Sequence, residues 1–202
     1  LGRRVYPAYT TDDAIVLASK LENPLLAGEL GGNMPYGFDI TNSPAEIIKR
    51  TDVHRPMILV STSGTQLLMN ANGCKSVFVG CFRNLTAVAR HLADRHKKIA
   101  LLGAGTRGQF RREDQMGCAW IAQRLVGSGY CPETTQTEEY IRKWRGVSPE
   151  EIRYGKSAEY LRRSGQDHDL EFVLNHIDDL DTVPALIDDE LVAVAGVISG
   201  TA

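Results

Sequence analysis

The chain has 202 residues, 43% of them hydrophobic and 24% charged, which is the make-up of a globular protein long enough to bury a sizeable core. A formal net charge of -2 argues against a nucleic-acid binder, which needs a basic face to neutralise phosphates. No apolar run reaches the roughly 20 residues of a membrane-spanning helix, and no signal peptide opens the chain. The elements then follow in order. "RRVYPAY" (3–9) predicts a strand, and because Leu1 stands where a methionine is usual, the chain is expected to lack its natural N-terminus. "DDAIVLASKL" (12–21) predicts a helix. In "FDITNSPAEIIKR" (38–50) Ser43 is a natural N-cap, Pro44 suits the first helical position and Glu46 completes a capping box. Next comes one phrase three times over: the apolar runs "MILVS" (57–61), "SVFVGCF" (76–82) and "KIALLG" (98–103), each followed by a short polar or glycine loop and a helix-like stretch. Strand, loop and helix recurring at roughly this spacing predict an α/β fold, a three-layer α/β/α arrangement whose largely parallel sheet is built from βαβ units. Beyond residue 130, "TTQTEEYIRKWRG", "SPEEIRYGKSAEYLRRSG" and "DHDLEFVLNHIDDL" predict polar amphipathic helices, and "TVPALIDDELVAVAGV" two short strands around an acidic turn. No low-complexity linker interrupts the chain, so a single domain over 1–202 is expected.

Four cysteines, Cys74, Cys81, Cys118 and Cys131, show no C-x-x-C spacing. They predict reduced thiols in a cytoplasmic protein, all but Cys131 in apolar or tightly packed surroundings. The histidines form no metal motif: His91 and His96 are off the same helical face, and His168 and His176 flank a helix as surface or packing residues. Trp120 and Trp144 are expected in cores, and the charge runs "RRED" and "IDDL" on solvated faces.

Right-handed βαβ units gather the loops that leave their strands on one sheet edge, where open α/β folds bind ligands. Those loops hold Ser61, Thr62, Ser63, Gly64 and Thr65; Arg83 and Asn84; and Gly105, Thr106, Arg107 and Gly108. Hydroxyls, glycine amides and helix N-termini suit an anion, phosphate first. Arg107, Arg111 and Arg112 add local positive charge. Gly103-x-Gly105-x-x-Gly108 has the spacing of a dinucleotide fingerprint, but bulky Gln109, Phe110, Arg111 and Arg112 follow it and no strand ending in an acid comes after the next helix. A phosphate-sized turn is the better reading of these glycines. Glu29 in "AGELGG", Asp39 in "GFDITNSP" and the Glu113-Asp114 pair are the candidate acids, and hard carboxylate oxygens of this kind suit magnesium. The alternative for Glu113 and Asp114 is that they are first-turn acids favoured by the helix dipole.

The segments "GELGG", "GFDITNSP", "STSGT", "GCFRNLTAVA" and "GAGTRGQFRREDQMGCA", with the tail "SAEYLRRSGQDHDLEFVLNHIDDLDTVPAL", together resemble the 2-phosphosulfolactate phosphatase (ComB) family over most of the chain. The resemblance implies a magnesium-dependent cytoplasmic phosphatase that converts 2-phosphosulfolactate to sulfolactate and phosphate, a step toward coenzyme M. Glu29, Asp39, Asn42, Ser43, Thr62, Gly64, Thr65, Asn84, Thr106, Gly108, Phe110, Glu113 and Asp114 occupy the matching motif positions. Their chemistry suggests Glu29, Asp39 and Asp114 as catalytic residues and Asp39, Glu113 and Asp114 as ligands of Mg2+. Thr62, Ser63, Gly64, Thr65, Asn84, Thr106, Arg107 and Gly108 are the expected phosphate binders. Three departures stand out: Leu30 where the family carries an arginine, Ser61 and Ser63 in its T-T-N-G-T motif, and no upstream strand bearing D-x-x-R-[AS]-[ST]-T. The expected partner is a small phosphorylated acid, without nucleic acid or membrane, and a homodimer is the default assembly. A non-catalytic anion-binding homologue and an NAD-binding oxidoreductase are the alternatives.

Overall fold

Alternating side chains in three short runs set the sheet. In the computed structural model, which describes residues 2–71, 73–93, 95–105 and 108–195, β1 (Val5–Pro7), β2 (Leu25–Gly28) and β3 (Met57–Val60) pair in parallel. Leu26, Ile58 and Tyr6 lie in register across them, as do Leu25, Met57 and Val5. Because side chains alternate faces along a strand, this register sorts the residues onto two sides. Tyr6, Ala8, Leu26, Ile58 and Val60 pack with Ala14, Leu17, Ala18 and Leu21 from helix α1 (Thr11–Ala18) and the residues that follow it. Val5, Leu25, Ala27, Met57 and Leu59 pack instead with Ile40 and with Ile47 of α2 (Pro44–Ile47).

The chain reaches β2 by stepping past the position of β3, then returns to fill it. Reversing direction while keeping the hand of the crossover puts successive helices on opposite faces, and the result is helix, sheet, helix. The expected α/β fold with three layers is therefore present. Among the described residues the sheet has five strands in the order β2-β3-β1-β5-β4, with β4 (Val183–Ile187) and β5 (Glu190–Ala195) at the far side and β5 antiparallel to β1 at Val5 and Leu191. The acidic turn between them uses Asp188 and Asp189 at φ 47° and 62°, the left-handed pair that a tight two-residue hairpin requires.

Two of the three predicted repeats do not become strands. Residues 76–82 contribute one bridging position, at Phe78, and residues 98–103 enter no ladder. Their alternation is real, since Ile99 and Leu101 turn toward a helical core while Ala100 and Leu102 face out. Residues 76–82 reach the β4 backbone only in part, the Leu186 N–H donating to the Val77 carbonyl at 3.0 Å and the Val79 N–H to the Pro184 carbonyl at 2.8 Å, whereas residues 98–103 pack through their side chains. The helices that follow form as predicted: α3 (Gly64–Asn70), α4 (Leu85–Ala93) and α5 (Arg112–Gly127), then α6 (Thr135–Lys143), the 3-10 turn Pro149–Tyr154, α7 (Lys156–Arg163) and α8 (Asp167–Leu174).

The chain divides into two compact units, the described residues of Leu1–Val77 with Ala185–Val192 and those of Phe78–Pro184 with Ala193–Ala202. The first contains β1–β3 with α1–α3. The second is built on α4 and α5, where Leu85, Val88 and Leu92 meet Met116, Ile121 and Leu125, and where Trp120 and Trp144 are both buried as expected. The Trp120 indole N–H donates to the Trp144 carbonyl at 3.0 Å.

In the "IDDL" run Asp179 is exposed, as expected, and Asp178 is partly buried, but both acids are engaged. Asp178 accepts from the Thr86 N–H at the start of α4 and from Arg124, while Asp179 takes a bidentate pair from Arg83 at 2.8 and 2.7 Å. A cap and two guanidinium partners explain why these acids stand together. Cys74 and Cys81 are exposed rather than packed, and Cys118 is partly buried on α5, where desolvation raises its thiol to about 11. All four thiols are free.

Candidate active site

Each unit carries one cluster of the predicted site residues. In the first, β2 ends on Gly28, where any side chain would collide with the Val60 carbonyl, 2.2 Å from an added Cβ. That close approach lets the Glu29 N–H reach the Val60 carbonyl at 3.1 Å and aims the Glu29 side chain at the loop after β3. Its carboxylate accepts from the Thr62 N–H, the Thr62 hydroxyl and the Gly32 N–H, each at 2.7 Å. The Gly31 N–H donates to the Thr62 hydroxyl oxygen, also at 2.7 Å. "GELGG" and "STSGT" are thus stitched together by one carboxylate.

Beyond the stitch, Thr65 is buried and exchanges bonds with Ser61: the Ser61 N–H donates to the Thr65 hydroxyl and the Thr65 N–H to the Ser61 hydroxyl, both at 2.9 Å. Among the described residues the N–H groups of Ser63 and Gly64 meet no acceptor, and Gly64 is exposed. These two amides, at the head of α3, are the donors that this loop leaves open. Asp39 is exposed; its Oδ2 accepts from the Leu26 N–H at 2.9 Å and pairs with Arg55 at 3.3 Å. Ser43 caps α2 by accepting from the Glu46 N–H at 3.2 Å, with Pro44 at the first helical position.

In the second unit the fingerprint glycines have a different employment from the dinucleotide one. An added Cβ at Gly103 would stand 2.3 Å from the Phe110 ring and 2.8 Å from the Asp114 side chain, so the turn closes directly on the first turn of α5. Gly105 sits at φ 62° and donates its N–H to the Asp114 carboxylate at 3.0 Å. With that amide engaged and no sheet strand ahead of it, the pattern lacks the context a pyrophosphate needs. Thr106 and Arg107, two of the expected anion binders, lie outside the described residues. Gly108 is exposed at φ 71°.

Asp114 is partly buried. Burial and the charge of Glu113 push its carboxyl above the ordinary aspartate value, against the opposing pull of the Gly105 and Arg111 N–H groups and the Arg111 charge. Glu113 is held by the Ser157 hydroxyl and lies against Gly155, which has no side chain to exclude it. Among the described residues no group of three or more His, Cys, Asp and Glu side chains comes together. Magnesium asks for less, commonly one or two carboxylates with water and substrate oxygens completing its shell. Asp114, held above its ordinary pKa by burial and by the charge of Glu113, is a carboxylate whose charge a divalent cation would relieve. Glu113 and Asp114 could therefore hold it.

Asn84 is buried, and its amide is fully engaged: the oxygen accepts from the Cys81 N–H at 2.8 Å, and the nitrogen donates to the Val79 and Thr182 carbonyls at 3.2 and 3.0 Å. Sequence reasoning passed over Ser157, which gives no signal in its own helix, and the Asp178–Thr86–Arg124 network, whose acids look like an ordinary charge run.

The chain matches the family model described as 2-phosphosulpholactate phosphatase over residues 2–189. It is 28% identical over 190 residues to a probable 2-phosphosulfolactate phosphatase of Caldanaerobacter subterraneus subsp. tengcongensis, covering 92% of this chain and 78% of that one. It is 30% identical over 184 residues to a protein of the same description from Thermotoga maritima, covering 91% and 79%. A third, from Carboxydothermus hydrogenoformans, is 32% identical over 151 residues, covering 75% and 63%. Fold, loop motifs and family match agree, and the chain belongs to the 2-phosphosulpholactate phosphatase family, a family of phosphoric monoester hydrolases.

Proposed function

We propose that the chain is a cytoplasmic, magnesium-dependent phosphatase that hydrolyses 2-phosphosulfolactate to sulfolactate and phosphate. The family match over residues 2–189 is the observation that carries the reading. The free thiols are in keeping with a reducing compartment. The net reaction breaks the ester P–O bond: the water oxygen ends on phosphorus and a proton ends on the sulfolactate hydroxyl.

In this reading Glu113 and Asp114 hold the metal, which supplies Lewis-acid polarisation of the phosphoryl oxygens. Ser157 keeps one oxygen of Glu113 in place, and the Gly105 N–H does the same for Asp114. In the first unit, the open amides of Ser63 and Gly64 are donors suited to an oxyanion. Glu29 acts on that loop from behind, fixing the Thr62 backbone so that the next two amides stay exposed. In the same reading Asp39, whose carboxylate is engaged, holds β2, and Asn84, whose amide is engaged, holds the α4 entry loop.

Phosphate release from 2-phosphosulfolactate, followed with magnesium and then with EDTA, tests the proposal. Release that needs magnesium is expected. Full activity in EDTA contradicts the metal, and no release from this substrate contradicts the activity.

A further inference from the structure

Folded proteins rarely leave buried hydrogen-bond donors without acceptors, and each exception asks for a missing partner. Among the described residues the buried side-chain atoms without one are the Nε groups of Arg111 and Arg112 and the indole Nε1 of Trp144. All three are donors. Two belong to side chains with other engagements: Arg112 pairs with Glu151 and lies over the Trp144 ring, its guanidinium carbon 5.3 Å from the centroid, while Trp144 is 2% exposed within the core.

Arg111 differs. Its guanidinium makes no hydrogen bond and no ion pair among the described residues, although the partly buried Arg83, Arg112 and Arg124 of the same unit each have a carboxylate. It stands at the N-cap of α5, three residues before Asp114, and its charge acts on the Asp114 carboxylate. A permanently charged, forked donor group with a buried and unmatched N–H, beside the proposed metal carboxylates, is a receptor for a planar or trigonal oxyanion.

Resting on the proposed phosphatase activity, we infer that Arg111 binds the acid group of the substrate that is not transferred, the carboxylate or sulfonate beside the phosphoryl ester. Arg111 is then a specificity determinant: it anchors the end of the molecule that leaves as product, while the phosphoryl end faces the metal that Glu113 and Asp114 would hold. The carboxylates of Glu113 and Asp114 would otherwise repel that acid group, and a guanidinium at the N-cap of the same helix offsets the repulsion.

The test compares two substrates and one product on the intact chain. Wild type, Arg111→Gln and Arg111→Lys are assayed on 2-phosphosulfolactate and on p-nitrophenyl phosphate, which has no second acid group. Sulfolactate binding is measured in parallel by calorimetry with inorganic phosphate as control. The inference predicts that Arg111→Gln lowers the ratio of kcat/KM between the two substrates at least about tenfold, mainly through KM, and weakens sulfolactate more than phosphate. Arg111→Lys should recover part of both losses, since charge returns without the fork. An unchanged ratio with unchanged sulfolactate affinity overturns the assignment, as does an equal loss on both substrates, which would make Arg111 a phosphoryl or scaffold residue. If wild type hydrolyses neither compound but sulfolactate binding still depends on Arg111, the phosphatase reading fails and the acid-group assignment stands. Circular dichroism and melting temperature of each variant exclude unfolding as the cause.

Discussion

The Glu29 loop and the Asp114 turn are built from the same kinds of residue and resolve their charges in opposite ways. Glu29 meets three donors at 2.7 Å, and in doing so it joins two loops. Asp114 meets the Gly105 N–H at 3.0 Å, but burial and Glu113 outweigh its donors and raise its pKa. A carboxylate surrounded by donors stabilises the fold, whereas one held short of charge compensation is poised for a cation. In the proposed function, the number and kind of donors around an acid, rather than its neighbourhood in sequence, distinguish the structural carboxylate from the metal-binding one.

The largest effect that can break this contrast is on turnover. Asp114→Asn should cut phosphatase activity on the order of a hundredfold or more, since metal-based stabilisation of transferring charge is worth several kcal/mol and each tenfold is about 1.4 kcal/mol. Stability should stay level or rise. A carboxyl whose folded pKa is raised favours the fold below its unfolded pKa and loses that contribution as pH climbs through the folded value. At neutral pH the charged form therefore weighs against the fold, and removing it costs nothing. A marked drop in melting temperature with turnover intact would place Asp114 with the helix-capping acids.

Glu29→Gln should show the reverse pattern. Replacing a charged acceptor and turning one amide N–H toward existing donors should cost about 2 kcal/mol in denaturant unfolding. Activity should fall only as far as the loop loosens. A variant as stable as wild type but without turnover would return Glu29 to the catalytic group in which its sequence position first put it.

How much of this was legible beforehand depended on range. The capped helix at Ser43 and Pro44, the strand Met57–Val60 and the acidic hairpin at Asp188 and Asp189 are governed by neighbours in sequence, and each formed as read. Residues 98–103 carry the same apolar alternation as a strand, yet strand identity depends on a partner elsewhere in the chain, and the alternation instead serves packing against helices. The acids were located correctly as loop and helix-start residues, but their employment lay beyond sequence. Nothing in "AGELGG" reveals that Thr62 will satisfy Glu29, and nothing in "RRED" distinguishes the paired Arg112 from the unmatched Arg111.

A smaller effect should follow from the second unit's clamp. Asp178→Ala removes the acceptor of the Thr86 N–H and the partner of Arg124, and should cost about 1–2 kcal/mol. Burial alone would raise the Asp178 carboxyl, but Thr86 and Arg124 bring it below the ordinary value, and the hydrogen bonds from Arg83 lower Asp179 in the same way. Depressed carboxyls contribute stability above their unfolded pKa and lose it as pH falls through the folded one. Wild-type stability should therefore hold near neutrality and decline as pH drops below about 4, with a shallower decline in Asp178→Ala. Equal slopes would remove these acids from the account. The smallest effect is expected from Asp39→Asn, whose exposed pair with Arg55 should be worth about 0.5 kcal/mol with turnover close to wild type.

The most direct test is the initial rate of phosphate release from 2-phosphosulfolactate by Asp114→Asn, measured against wild type and Asp39→Asn at saturating magnesium. The account predicts that Asp39→Asn stays within a few-fold of wild type while Asp114→Asn falls about a hundredfold or more. Near-equal rates for all three proteins, or loss in Asp39→Asn alone, would contradict it.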